Sequence, residues 1–160
     1  MRLPAEILQG ILARSALVLL RVYLGVVFVV AAAPQLRDDG ASPLIASTGD
    51  VTVEQGHRFY REFARAVVLP NADLFARLVP WAEMGIGVLL VLGLLTRVAA
   101  AGAMLLAVNC MFAKGEWFWS RSSSDAAYSL IALALLLGAA GRTLGLDRLL
   151  ARRRPRSALW

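Results

Sequence analysis

The chain has 160 residues, of which 59% are hydrophobic, and a formal net charge of +6. A soluble domain of this size has too little interior for so much apolar material, since the soluble norm is about 45–50%. The excess must face lipid or partner proteins, and the positive charge, gathered near the C-terminus with no basic-aromatic motif, reads as a membrane topology signal or an anionic-lipid contact rather than as a nucleic-acid site.

Cys110 is the only cysteine and His57 the only histidine. An intrachain disulfide, a cysteine metal cluster, bis-histidine haem and any multi-histidine metal site are therefore excluded within this chain.

A membrane-spanning helix needs about 20 mostly apolar residues. The first candidate span covers 15–36 and contains "LLRVYLGVVFVV", an apolar run interrupted by Arg21. A long loop follows over 37–77; it begins with the irregular "RDDGASPLIASTGD" and continues with helical periodicity over 51–69. There Phe59, Tyr60, Phe63 and Val67 share one face, while Arg58, Arg61, Glu62 and Arg65 share the other. This amphipathic helix is expected to lie on the membrane or to cap the bundle. The second span covers 78–95, with Pro80 starting or kinking it. A break of only "TR", Thr96 and Arg97, leads to a third span at 98–113, and a fourth covers 126–140. So short a break makes the second and third spans antiparallel neighbours.

The expected fold is all-α: an integral membrane four-helix bundle with an amphipathic helix in its long first outer loop, forming one polytopic domain over 1–160. Four spans place both termini on one side. The basic tail at 148–160 ("ARRRPR") puts that side in the cytoplasm, and Trp81, Trp117 and Trp119 then form an aromatic belt at the outer interface.

Arg21, Glu83 and Asn109 fall within the spans, and Asp125 begins the fourth. Charged groups at the bilayer centre cost roughly 3 kcal/mol or more, so they usually face the protein interior or water. Helical spacing puts each on a stripe with small residues: Arg21, Gly25, Phe28 and Ala32; Glu83, Gly87, Leu90 and Leu94; Gly102, Leu105 and Asn109; Asp125, Ser129 and Ala132. Arg21 falls in the cytoplasmic half and the other three in the outer half, with Arg21 and Glu83 on the order of 13 Å apart along the normal. Three readings stay open for these residues: snorkelling to the surfaces, interior polar contacts that hold the bundle together, or a ligand or proton site. Cys110 reads as an inert core residue, and Tyr23, Tyr128 and Trp81 as packing or interface residues.

Three stretches resemble the DoxX-like membrane proteins (DoxX or DoxD-like), which include the small subunit of thiosulfate:quinone oxidoreductases. They are "LLRVYLGVVFVVAAAPQL", "WAEMGIGVLLVLGLLTRVAA" and "GAAGRTLGLDRLL". The resemblance carries the family's buried polar positions onto Arg21 and Glu83 and its closing aspartate onto Asp147. It departs at "AAAPQL", where Pro34 and Gln35 stand in place of the family's frequent glycine and lysine. It implies a subunit associated with a quinone-linked redox or respiratory-type complex in a bacterial cytoplasmic membrane.

The sequence has no motif for a tightly bound redox centre, so electron transfer would rely on a diffusible quinone or a partner subunit. On the first hypothesis, Arg21 or Asn109 donates to a quinone carbonyl and Glu83 delivers protons, as part of an accessory subunit that is not catalytic alone. The alternative is a non-catalytic subunit that anchors or spaces other proteins. Membrane lipids and further protein subunits are the expected partners, with no metal and no nucleic acid.

Overall fold

The computed structural model describes residues 5–37, 56–121 and 123–138. Asp147, the basic tail and the first part of the outer loop lie outside the described residues. Among the described residues every regular element is helical. Helix α1 is Ala5–Arg37. Helix α2, Arg58–Phe63, continues through a π turn at Ala64–Val68 and a 3-10 turn at Leu69–Asn71 into α3, Ala72–Leu92. Helix α4 is Thr96–Ala113 and α5 is Ser124–Gly138. Three stretches, Leu12–Arg37, Arg58–Leu92 and Thr96–Ala113, are long and apolar enough to cross a membrane, and α5 is a shorter apolar helix.

The helix ends follow from local chemistry. Helix α3 stops where Gly93 takes a left-handed φ of 64°. The Leu94 N–H then bonds the Leu89 carbonyl and the Gly93 N–H bonds the Leu90 carbonyl, a Schellman closure. Leu95 follows with φ 48°, which turns the chain directly into α4. The break between these two helices is therefore Gly93 to Leu95, not "TR": Thr96 and Arg97 already form the first turn of α4. Helix α4 ends in the same way, with Gly115 at φ 68° and the Glu116 N–H on the Met111 carbonyl. Helix α5 starts with Ser123, whose hydroxyl accepts from the Ala126 N–H at 3.2 Å. Pro80 neither starts nor ends a helix; it is buried inside α3.

The bundle is built from two closely packed pairs, α1 with α3 and α4 with α5. Gly25 and Gly87 bring the first pair together. A Cβ on Gly25 would lie 2.9 Å from the Gly87 carbonyl oxygen, and one on Gly87 would lie 2.8 Å from the Gly25 carbonyl oxygen. In the second pair Ala99, Ala100, Ala103 and Ala107 of α4 are buried, as are Ser129, Ala132 and Leu135 of α5. Leu24, Phe28 and Leu90 complete the central core. The expected third stripe is wrong at Leu105, which is 70% exposed; the buried line of α4 runs through Ala100, Ala103, Ala107 and Met111. Alanine carries the close approach, so the bulkier leucine is turned outward.

The amphipathic face of the outer helix also needs correction. Its buried line is Tyr60, Ala64 and Val68, packed on Ala113 and Phe112 of α4. Phe59, Phe63 and Val67 face outward. The helix begins at Arg58, and residues 51–55 of the expected segment lie outside the described residues. It thus caps the end of α4 and runs on into α3.

Candidate functional site

Helices α1, α3, α4 and α5 converge on a cavity of about 90 Å³. Its wall is Val27, Phe28 and Ala31 from α1, Glu83 from α3, Leu106, Ala107 and Cys110 from α4, and Asp125 and Tyr128 from α5. Two carboxylates therefore face one small space that is otherwise mostly apolar. The space is large enough for water and opens to the outside of the bundle past the exposed Ala31.

The two carboxylates have different partners. Asp125 lies in the first turn of α5, where the helix dipole favours an anion. Lys114 caps the end of α4, where a cation is favoured, and its Nζ donates to Asp125 Oδ2 at 2.6 Å. Burial alone would lower the Lys114 pKa, but the hydrogen bond to Asp125 and that residue's negative charge outweigh it and hold the ammonium above the ordinary lysine value. Glu83 instead accepts from a neutral amide: Gln35 Nε2, in the last turn of α1, donates to Glu83 Oε2 at 3.1 Å. The charge of Asp125 reaches both Glu83 and Cys110.

Of the four residues singled out in the sequence, the cavity joins Glu83 and Asp125 and leaves out the others. Asn109 belongs to the cap, where its Oδ1 accepts from the Tyr60 hydroxyl at 2.6 Å. Arg21 is buried at 3% exposure, deeper along α1, and is not without a partner there. The whole stripe Arg21, Gly25, Phe28 and Ala32 is buried, as is Asp125, Ser129 and Ala132.

Sequence reasoning missed Gln35 and Lys114 as partners, and Cys110 and Tyr128 as parts of the wall. Gln35 carried one signal: it stands where the resemblance to the family breaks. Tyr128 meets Tyr23 of α1 across the seam between α1 and α5. Among the described residues, no group of three or more His, Cys, Asp or Glu is placed to hold a metal ion.

Above the cavity, His57 ties the outer segment to the turn between α4 and α5. Its backbone N–H bonds the Phe112 carbonyl at 3.3 Å, and its Nε2 lies 3.0 Å from the Glu116 carbonyl oxygen. Its ring packs on Trp117 at 4.3 Å between centroids.

A bundle of apolar helices, three of them long enough to cross a membrane, with carboxylates on a cavity between them defines a polytopic membrane protein. The DoxX family model matches residues 16–115, and the chain belongs to the DoxX family. Arg21, Gln35, Glu83, Asn109, Cys110 and Lys114 fall within the matched region, whereas Asp125 and Tyr128 lie beyond it. No curated protein and no solved structure matches the chain.

Proposed function

We propose that this chain is a membrane subunit associated with a quinone-linked redox or respiratory-type complex, and that the cavity between its helices serves that complex as a proton site. The observation that carries the proton reading is the pairing pattern. The charge of Asp125 is matched by Lys114, while Glu83 faces the same water-sized space and, among the described residues, has a neutral amide as its one hydrogen-bond donor. A carboxyl group placed so can take up and release a proton without breaking an ion pair. In this reading the redox chemistry belongs to partner chains, both termini face the cytoplasm of a bacterial cell, and the cavity opens toward the outer half of the membrane.

Purification from native membranes, with identification of co-purifying chains and extracted quinones, tests the association. The expected result is a redox subunit in fixed ratio with this chain. In that complex Glu83→Gln should lower quinone-linked turnover by about a hundredfold or more, the usual range for a positioned acid or base, without releasing the chain. A fixed-ratio complex whose turnover is unchanged by Glu83→Gln would support the anchoring role instead, and purification with no redox partner would remove the proposal.

A further inference from the structure

The carboxylate of Glu83 reaches the cavity from α3, but its geometry is set from α1. Gln35 Nε2 carries two hydrogens. One bonds the Ala31 carbonyl at 2.9 Å and the other bonds Glu83 Oε2 at 3.1 Å. Turning the amide over would bring Gln35 Oε1 against two acceptors at once, the Ala31 carbonyl and the carboxylate. The backbone of α1 thus keys the amide so that it presents its donor side to Glu83. The other end of the amide is consistent with this orientation: Gln35 Oε1 is buried and has no hydrogen-bond partner among the described residues. A buried acceptor in this position calls for an explanation, and the donor contact to Glu83 at the other end of the amide supplies one.

The remaining groups that face Glu83 do not supply such a donor in the described contacts. From α1 come the apolar Val27, Phe28 and Ala31; from α4 comes Cys110; from α5 come Asp125, held by Lys114 at the end of α4, and Tyr128, whose hydroxyl is engaged with Tyr23 of α1. We propose that Gln35 is the positioning residue of the proton site: it holds Glu83 Oε2 and leaves Oε1 as the oxygen that exchanges a proton with water in the cavity. On uptake an Oε1–H bond forms and a cavity hydronium becomes water; release is the reverse. This inference rests on the proton-site reading above and adds the residue that fixes which oxygen works.

The test is infrared difference spectroscopy of the full chain in phosphatidylcholine–phosphatidylglycerol vesicles across an acid–base step. The protonated-carboxyl band of Glu83 is assigned by its loss in Glu83→Gln. Gln35→Met keeps the volume and removes the donor. It should shift that band in frequency and raise the ratio of protonated to ionised Glu83 at a fixed pH about tenfold, the equivalent of one hydrogen bond to a charged group. Gln35→Asn, which withdraws the donor by one methylene, carries the same expectation if Gln35→Met does not fold. A merely structural glutamine would change thermal stability and leave the band where it is; an unmoved band in both variants overturns the inference while the proton site stands. If Glu83→Gln removes no band at all, Glu83 does not exchange protons, and both readings fall.

Discussion

Arg21 and Glu83 lie on opposite sides of the point where α1 crosses α3. Gly25 meets Gly87 and Val91, and Gly87 meets Gly25 and Val29, so the two helices run antiparallel with Glu83 level with the region of Ala31. At 1.5 Å per residue this sets Arg21 roughly 15 Å from Glu83 along the bundle. The arginine and the carboxylate therefore serve different places: one lies deeper in the core, the other at the cavity.

The glycine crossing gives a paired prediction. Gly25→Ala and Gly87→Ala each force a methyl to within 2.9 Å of backbone on the partner helix. Backbone cannot rotate away, so each should destabilise the protein by about 1–3 kcal/mol, the usual cost of overpacking. Gly85→Ala, on the same helix with nothing within 4 Å of its Cβ, should instead stabilise by about 0.5–1 kcal/mol through helix propensity. Thermal unfolding in a single detergent compares all three, and equal effects at Gly85 and Gly87 would refute the crossing.

The Lys114–Asp125 pair makes a pH prediction. Because the folded-state pKa of Lys114 is raised, its contribution is complete below the ordinary lysine value of about 10.4. It is lost as pH rises through the higher folded value. The lysine side chain is 49% exposed, so screening limits the contribution to about 1 kcal/mol. Lys114→Gln should lower stability by that amount at pH 8 and flatten the alkaline part of the stability profile. Unfolding curves measured from pH 8 to about pH 11 for both proteins check it, and an unchanged alkaline slope in the variant would exclude this role.

The cap makes a third. Tyr60→Phe removes the hydroxyl that donates to Asn109 and leaves the ring in place. The cost should be about 0.5–1.5 kcal/mol, the net value of one hydrogen bond. Asn109→Ala should cost a similar amount, and the double variant should cost less than the sum, because both single changes break the same bond. A strictly additive double-mutant cycle would mean that the contact contributes nothing.

Much of this arrangement was legible where residue contrast is strong. In α1 a single charge and small residues recur at helical spacing, and the stripe Arg21, Gly25, Phe28, Ala32 is buried as that pattern implies. In α4 the contrast fails: alanines occupy several faces, so sequence spacing does not separate a stripe through Leu105 from the buried one. The helix boundary at Gly93 to Leu95 was hidden because a leucine at positive φ is a local conformation that sequence preference argues against. Gln35 and Lys114 sit at helix ends, where a long polar side chain reads as reaching for the interface. Their partners come from other helices, and no single-chain periodicity encodes such a pairing.

Orientation in the membrane is tested by labelling. In a Cys110→Ala background, a cysteine at Ser47 should react with an impermeant thiol reagent in intact cells, and one at Ser157 should react only after lysis. Labelling at Ser157 alone in intact cells would reverse the topology.

Arg21 provides the last prediction. It is 3% exposed and shares its face with Gly25, Phe28 and Ala32, all of them buried. A snorkelling arginine would keep its head in water or among headgroups, and this one does not. A buried guanidinium must be met by an acceptor, and removing it strands that acceptor at a cost of about 3–5 kcal/mol when the partner is charged. Arg21→Leu should therefore lower the melting temperature in detergent strongly. Arg21→Lys should recover only part of the loss, because an ammonium lacks the planar fork and carries a tighter hydration shell. Surface-seeking behaviour makes the opposite forecast: lysine replaces arginine freely and leucine is nearly neutral. Equal stability of Arg21→Leu and the parent would mean that the charge in "LLRVYLG" has no interior role, whatever its burial.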